Sequence, residues 1–170
     1  MSRRNLCRIG PMILVTALSA GCAAHLQTKT VQTSDTYDLW ASRMQSMPFV
    51  IHQKDGQIAL VDVHGDPWRG STEGLEDGSV QRVEVYEGAF AAPSATMCKA
   101  PMAPPRSGIT ASSDNVVAAI CDRDRTVVSF SDTIRPRVLG SKTEYVSRVR
   151  HLLLEGIWES VAQEPEPLHT

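Results

Sequence analysis

The chain is 170 residues long, room for one domain of ordinary size, with 42% hydrophobic, 21% charged and 5% aromatic residues. That composition excludes a collagen, a coiled coil and a polytopic membrane protein. Lysine and arginine total 17 against 19 aspartates and glutamates, so no basic excess is available to neutralise a phosphate backbone, and nucleic acid is not an expected partner.

The first 22 residues have the layout of a secretory signal: Arg3, Arg4 and Arg8, then an apolar run from Ile9 to Ala20, then Gly21 and Cys22. The run is too short for a bilayer that needs about 20 residues, and Pro11 opposes a lasting helix. Leu18-Ser19-Ala20-Gly21-Cys22 resembles the lipobox of bacterial lipoproteins, with leucine four places before the cysteine and Ser19 where leucine is more usual. The resemblance covers residues 1–22 alone. It implies a signal peptide over 1–21, removed on processing, and a Cys22 that becomes residue one and carries acyl chains, palmitate among them. In that family the residue after the cysteine directs sorting, and Ala23 there implies the outer membrane of a Gram-negative envelope, with the domain facing the periplasm. Two or three acyl chains, at about 0.8 kcal/mol per buried methylene, make the attachment effectively permanent. Ser2 to Arg8 also resembles the twin-arginine export motif, so the export route stays open.

Processing before Cys22 removes three arginines and no acidic residue, leaving 14 basic against 19 acidic side chains, a formal charge of −5. Cys7 leaves with the signal and Cys22 takes the lipid. Cys98 and Cys121 remain as an even pair, expected as a disulfide in an oxidising compartment and worth on the order of 3 kcal/mol for a loop of this length.

Residues 22–34 are polar and aperiodic and predict a flexible tether, with the folded domain over 35–162. Ser34 or Asp35 is placed to cap a helix over about 35 to 46, where Tyr37, Trp40, Ala41 and Met44 share one face and Pro48 ends it. Phe49–His52 and Gln57–Val63 flank Lys54-Asp55-Gly56, a hairpin signal. Val80–Tyr86 alternates, with Val83 and Val85 on one face and Arg82 and Glu84 on the other, as in a sheet with one wetted side. Asn115–Cys121 and Thr126–Ser131 flank a charged turn at 122–125, expected to be solvated. Ser141-x-x-Glu144 is a capping box, and Tyr145, Val149, Leu152, Leu153 and Gly156 follow at helical spacing toward Trp158. Trp40 and Trp158 both read as core. The tail 163–170, with Pro165 and Pro167, predicts disorder.

This order predicts an α+β fold: a small antiparallel sheet of about five strands with an N-terminal and a C-terminal helix packed on it. Two long connections, 64–79 and 88–114, interrupt it.

The candidate sites are few. Asp62, His64 and Asp66 alternate, and two carboxylates around an imidazole suit a divalent metal, with His52 across the hairpin as the sole further ligand; this is the alternative reading, a periplasmic metal-dependent enzyme. Against it, Gly65 and Pro67 end the strand near Val63. His64 suits a general base but lacks an evident nucleophile. Ser71 is not in a G-x-S-x-G elbow, and the glycines form no phosphate-binding loop. Trp68 and Arg69 sit together in the 64–79 loop, and these are the residue types most enriched at binding hot spots. The expectation is therefore a lipid-anchored, non-catalytic binding or assembly module of the cell envelope. It would need no cofactor and bind no metal. It would meet an envelope protein or polymer through Trp68 and Arg69, unless the Trp68 ring folds back to cover an open edge of the core; by analogy, small lipoproteins of Gram-negative bacteria are commonly assembly factors, envelope stabilisers or inhibitors rather than enzymes.

Overall fold

The computed structural model describes residues 24–88, 93–99, 115–133 and 141–162. Cys22, the signal segment and the 163–170 tail lie outside the described residues. Six strands and two helices follow in chain order: β1 (His25–Lys29), α1 (Tyr37–Arg43), β2 (Phe49–His52), β3 (Ile58–Val61), β4 (Arg82–Glu87), β5 (Asn115–Asp122), β6 (Arg125–Thr133) and α2 (Lys142–Ala162), with a 3-10 segment at Ser94–Lys99. They form one sheet in the order β1-β6-β5-β4-β2-β3. Every neighbouring pair is antiparallel except β2 and β4, which run parallel.

The expected five-stranded antiparallel sheet flanked by terminal helices is therefore corrected to a six-stranded mixed sheet whose first element is a strand. The sixth strand comes from the stretch read as a tether: Leu26 pairs with Phe130 and Lys29 with Val128, and Thr30 N–H continues the ladder to the Val127 carbonyl at 3.0 Å. Its polar, aperiodic side chains concealed it because an edge strand draws its order from backbone bonding to a neighbour remote in sequence. The parallel pair arises because β3 folds back on one side of β2, leaving the other side for β4 to enter after the long 62–81 connection.

Both helices contribute to one core. Trp40 of α1, Met44 at its C-cap, and Tyr145, Val149, Leu153 and Ile157 of α2 share a cluster with Phe49, Val83, Val85, Ala118, Ile120 and Phe130 of the sheet. The helix cap is Thr36, whose hydroxyl accepts from Leu39 N–H at 3.2 Å, rather than Ser34 or Asp35. Asp35 is instead buried: its carboxylate accepts from Gln32 N–H, from the Trp40 indole at 3.0 Å and from the Arg125 guanidinium at 2.7 and 3.1 Å. The turn Arg123-Asp124 has two residues, with Arg123 at φ 61, as a tight hairpin turn requires. Its flanking charges Asp122 and Arg125 are joined at 2.9 Å, so the segment read as solvated pins the chain around Asp35 to the hairpin. Trp158 is corrected too. It is 67% exposed, because the buried stripe through 149, 153 and 157 turns a further 100° per residue and carries position 158 to the solvent side.

The opposite face of the sheet is not wetted. Arg82 and Glu84 have no exposed surface, and Tyr86, Val117, Ala119 and Cys121 cluster there with Met97 and Cys98 of the 3-10 segment. A disulfide joins Cys98 to Cys121, with their Cα atoms 5.4 Å apart. Arg82 lies beneath this cover. Its Nε donates to Glu84 at 2.5 Å, Nη1 reaches the carbonyls of Gly78, Val80 and Arg123 at 3.2, 3.1 and 3.1 Å, and Nη2 donates to the Cys98 carbonyl at 2.8 Å.

Arg82→Met would leave the Glu84 charge and four carbonyls without their donor, and is expected to lower unfolding free energy by about 3–5 kcal/mol in a urea titration; a loss below about 1 kcal/mol would mean that water already serves those carbonyls. Gly65, at φ +82, would place a Cβ 3.0 Å from the Lys142 and Thr143 backbone, whereas Gly56, at φ +83, faces open space. Gly65→Ala is thus expected to cost more than Gly56→Ala, whose penalty is the left-handed conformation alone, about 1 kcal/mol. Equal melting temperatures for the two variants would contradict this packing.

Candidate functional site

The metal-ligand candidates do not converge. Asp62 Oδ1 accepts from the backbone N–H groups of His64 and Asp66, both at 2.9 Å, which makes it the cap of a tight turn rather than a ligand. His64 and Asp66 are exposed at that turn. His52 is on the covered face, 2% exposed, with Nε2 2.7 Å from Glu84 Oε2 and its ring stacked on Tyr86 at 4.1 Å. Among the described residues no group of three or more His, Cys, Asp or Glu is placed to hold a metal ion. Ser71 accepts from Glu73 N–H at 3.1 Å, a local turn bond.

Trp68 and Arg69 follow a short antiparallel bridge between Val61 and Pro67, with Trp68 N–H on the Leu60 carbonyl at 3.0 Å, so their loop prolongs the sheet beyond β3. The Trp68 ring is half-buried, folds onto Gly70 and donates from its indole to the Ser71 carbonyl at 3.1 Å. Arg69 is exposed.

A different constellation lies where α2 begins. Ile51 and Gln53 at the end of β2, Ala59 and Val61 of β3, Glu87 closing β4, and Ser141, Lys142, Tyr145 and Val146 at the start of α2 line an open pocket of about 380 Å³, within the size range of small-ligand sites. The capping box sets the helix start: Ser141 Oγ accepts from Glu144 N–H at 3.2 Å. One turn on, Tyr145 joins the core stripe and is 5% exposed, and its hydroxyl finds no hydrogen-bond partner among the described residues. A buried hydroxyl left unpaired costs about 1–3 kcal/mol, so such groups are rare and call for a cause.

Burial and the nearby charge of Glu87 push the Tyr145 hydroxyl far above its usual range, so it is a neutral donor. Burial likewise raises the Glu87 carboxyl, with the Lys54 charge and backbone N–H and the Lys142 charge only partly offsetting it. The pocket thus offers apolar walls, one carboxyl that resists ionisation and one flanking ammonium group, with the unengaged Tyr145 donor buried beside it. Sequence reading passed over it because Tyr145 looked like an ordinary core residue; the available signal was the oxygen it brings to an otherwise apolar stripe.

No protein-family model, no curated protein and no solved structure matches this chain.

A carboxyl whose folded-state affinity for protons exceeds that of the unfolded chain stabilises the fold below its unfolded pKa, and that contribution is lost as pH rises through the folded value. Glu87→Gln is therefore expected to raise the melting temperature at pH 7 and to leave it unchanged near pH 4, where native Glu87 is already protonated. A gain of the same size at both pH values would rule out ionisation as its source.

Proposed function

We propose that this chain is a lipid-anchored protein of the cell envelope, held at the outer membrane through Cys22, whose periplasm-facing domain is a non-catalytic binding or assembly module. The pocket at the start of α2 is its receiving site, and the Trp68–Arg69 loop is a second contact with the same envelope partner, a protein or polymer. The observation that carries the reading is the unpartnered hydroxyl of Tyr145, a residue that lines an open pocket while its oxygen is itself sealed from solvent: a donor kept at a cost in stability fits a ligand atom that reaches it when the lining shifts. The Cys98–Cys121 bond supports an oxidising compartment. The loop bearing Trp68 also passes the same helix end, since Gly65 packs against Lys142 and Thr143. Binding rather than catalysis is favoured because Ser141 has its oxygen engaged as a helix cap rather than free as a nucleophile.

Tyr145→Phe tests this with two readouts. Removing an unpaired buried hydroxyl is expected to raise unfolding free energy by about 1 kcal/mol, while a photo-crosslinker placed at Lys142 loses most of its captured envelope component in intact cells. Trp68→Ala with Arg69→Ala is expected to reduce the same capture. Retention of capture by all three variants would refute the site, and a Phe variant less stable than the native chain would show that the hydroxyl has a partner within the fold.

A further inference from the structure

We propose that the outward face of the last turns of α2, Trp158 with Val161, rests on the zwitterionic headgroup layer of the membrane to which Cys22 attaches the chain. The inference depends on the anchoring reading above, and adds to it an orientation and a contact surface. Trp158 is 67% and Val161 49% exposed. Three residues apart on a helix, they are surface neighbours. Neither belongs to the core stripe of α2; Trp158 stands free of it, and Val161 borders a groove shared with Val31.

Chain geometry brings this face close to the anchor. Three peptide units separate Cys22 from His25, where β1 pairs with β6, and three units reach at most about 11 Å. The next residue, Leu26, packs against α2 so closely that a Cβ on Gly156 would lie 2.5 Å from Leu26 Cδ1. Gly156 is two residues from Trp158, on the opposite side of a helix about 10–12 Å across. An anchored bilayer is thereby held to within about 25 Å of the exposed indole, about two helix diameters.

The charges nearby select the lipid. Glu155 and Glu159 flank Trp158 and are exposed, with Glu155 3.8 Å from His151; Lys29 lines a groove beside Val161, and the processed chain carries a formal charge of −5. An anionic surface would repel this face. A zwitterionic headgroup instead presents its ammonium outermost, to the two carboxylates and to the indole face, an arrangement that attracts cations, and tryptophan is enriched at headgroup depth.

The test uses the full acylated chain, isolated from membranes and reconstituted into phosphatidylcholine vesicles with or without bromine on the acyl chains near the headgroup. Trp40 and Trp68 also emit, so the Trp158 signal is the difference between native protein and Trp158→Phe. That signal is expected to fall at least twofold in brominated vesicles, and to fall less when half the lipid is phosphatidylglycerol. Acylated protein that floats with the vesicles yet shows no quenching of Trp158 would overturn the contact while leaving the anchor standing. An unmodified Cys22 peptide by mass spectrometry, with no flotation, would overturn the anchor and this contact with it. Shielding of Trp158 in a dimer that persists in detergent would assign the face to a second copy and overturn the membrane contact.

Discussion

A single guanidinium organises one half of this molecule. Arg82 has no exposed surface and directs its donors to Glu84 and to carbonyls from three separate segments: Gly78 and Val80 before β4, Arg123 in the β5–β6 turn and Cys98 in the 3-10 segment. Arginine suits this task because its donors form a rigid planar fork and its charge cannot be lost. Loops that cross a sheet face bring carbonyls needing donors, and water is excluded here. One side chain meets several of them, and Glu84 balances its charge while also holding His52. The Cys98–Cys121 bond fastens the same cover covalently, so the charged fork and the disulfide constrain one segment from two directions.

The other half is organised by apolar packing, and each half keeps an unmet polar atom: His52 Nδ1 on the covered face and the Tyr145 hydroxyl here. α2 lies across β6, β5 and β1, its passage over β1 and β6 allowed by Gly156, which lacks the Cβ that Leu26 and Val128 would otherwise meet. Its first turn ends against the backbone of the 62–66 loop and beside the end of β4. That junction leaves an open pocket in which a buried hydroxyl and a carboxyl of raised pKa face each other's field. On the proposed reading the two halves divide the labour, with the covered face supplying rigidity and the α2 face supplying both the receiving pocket and, at its far end, the surface turned to the membrane. Asp35 bridges them. Burial works against its charge, but the Arg125 guanidinium, Gln32 and the Trp40 indole together hold its carboxyl below the usual carboxylate range. A wholly sequence-local segment, Ser34 to Trp40, is thereby tied to a hairpin some ninety residues later.

Much was legible where the cause is local. The β2–β3 hairpin announces itself by Asp55-Gly56 and by β-rich runs on each side, the β5–β6 hairpin by two such runs around a short charged segment, and α2 by Ser141 and Glu144 followed by a periodic stripe. The pairing of Cys98 with Cys121 followed once the lipobox resemblance set Cys7 and Cys22 aside, and the two sulfurs are bonded in the structure. Errors arose where a residue's environment is set by a distant segment. Arg82 and Glu84 alternate with valines as solvent-facing residues do, and only the 3-10 segment with its disulfide reveals that they are covered. Trp158 is large and apolar and ends a core-like helix, yet helical phase turns it outward. Asp62, His64 and Asp66 have the spacing of ligands on a strand, but the chain turns at Gly65 and the first carboxylate closes that turn.

By itself the amino-acid order determined the short-range structure: turns, caps, helical phase and the hydrophobic alternation of strands, all of which depend on contacts within a few residues and on backbone sterics. The lipobox resemblance of residues 1–22 is local in the same sense, and the anchoring proposed from it rests on residue order alone. Only the tertiary structure decided that β1 joins the sheet, that β2 and β4 run parallel, that Arg82 is buried and that the Tyr145 hydroxyl lacks a partner among the described residues. Each of these depends on which remote surfaces meet and exclude water, and neither propensity nor spacing encodes such a meeting.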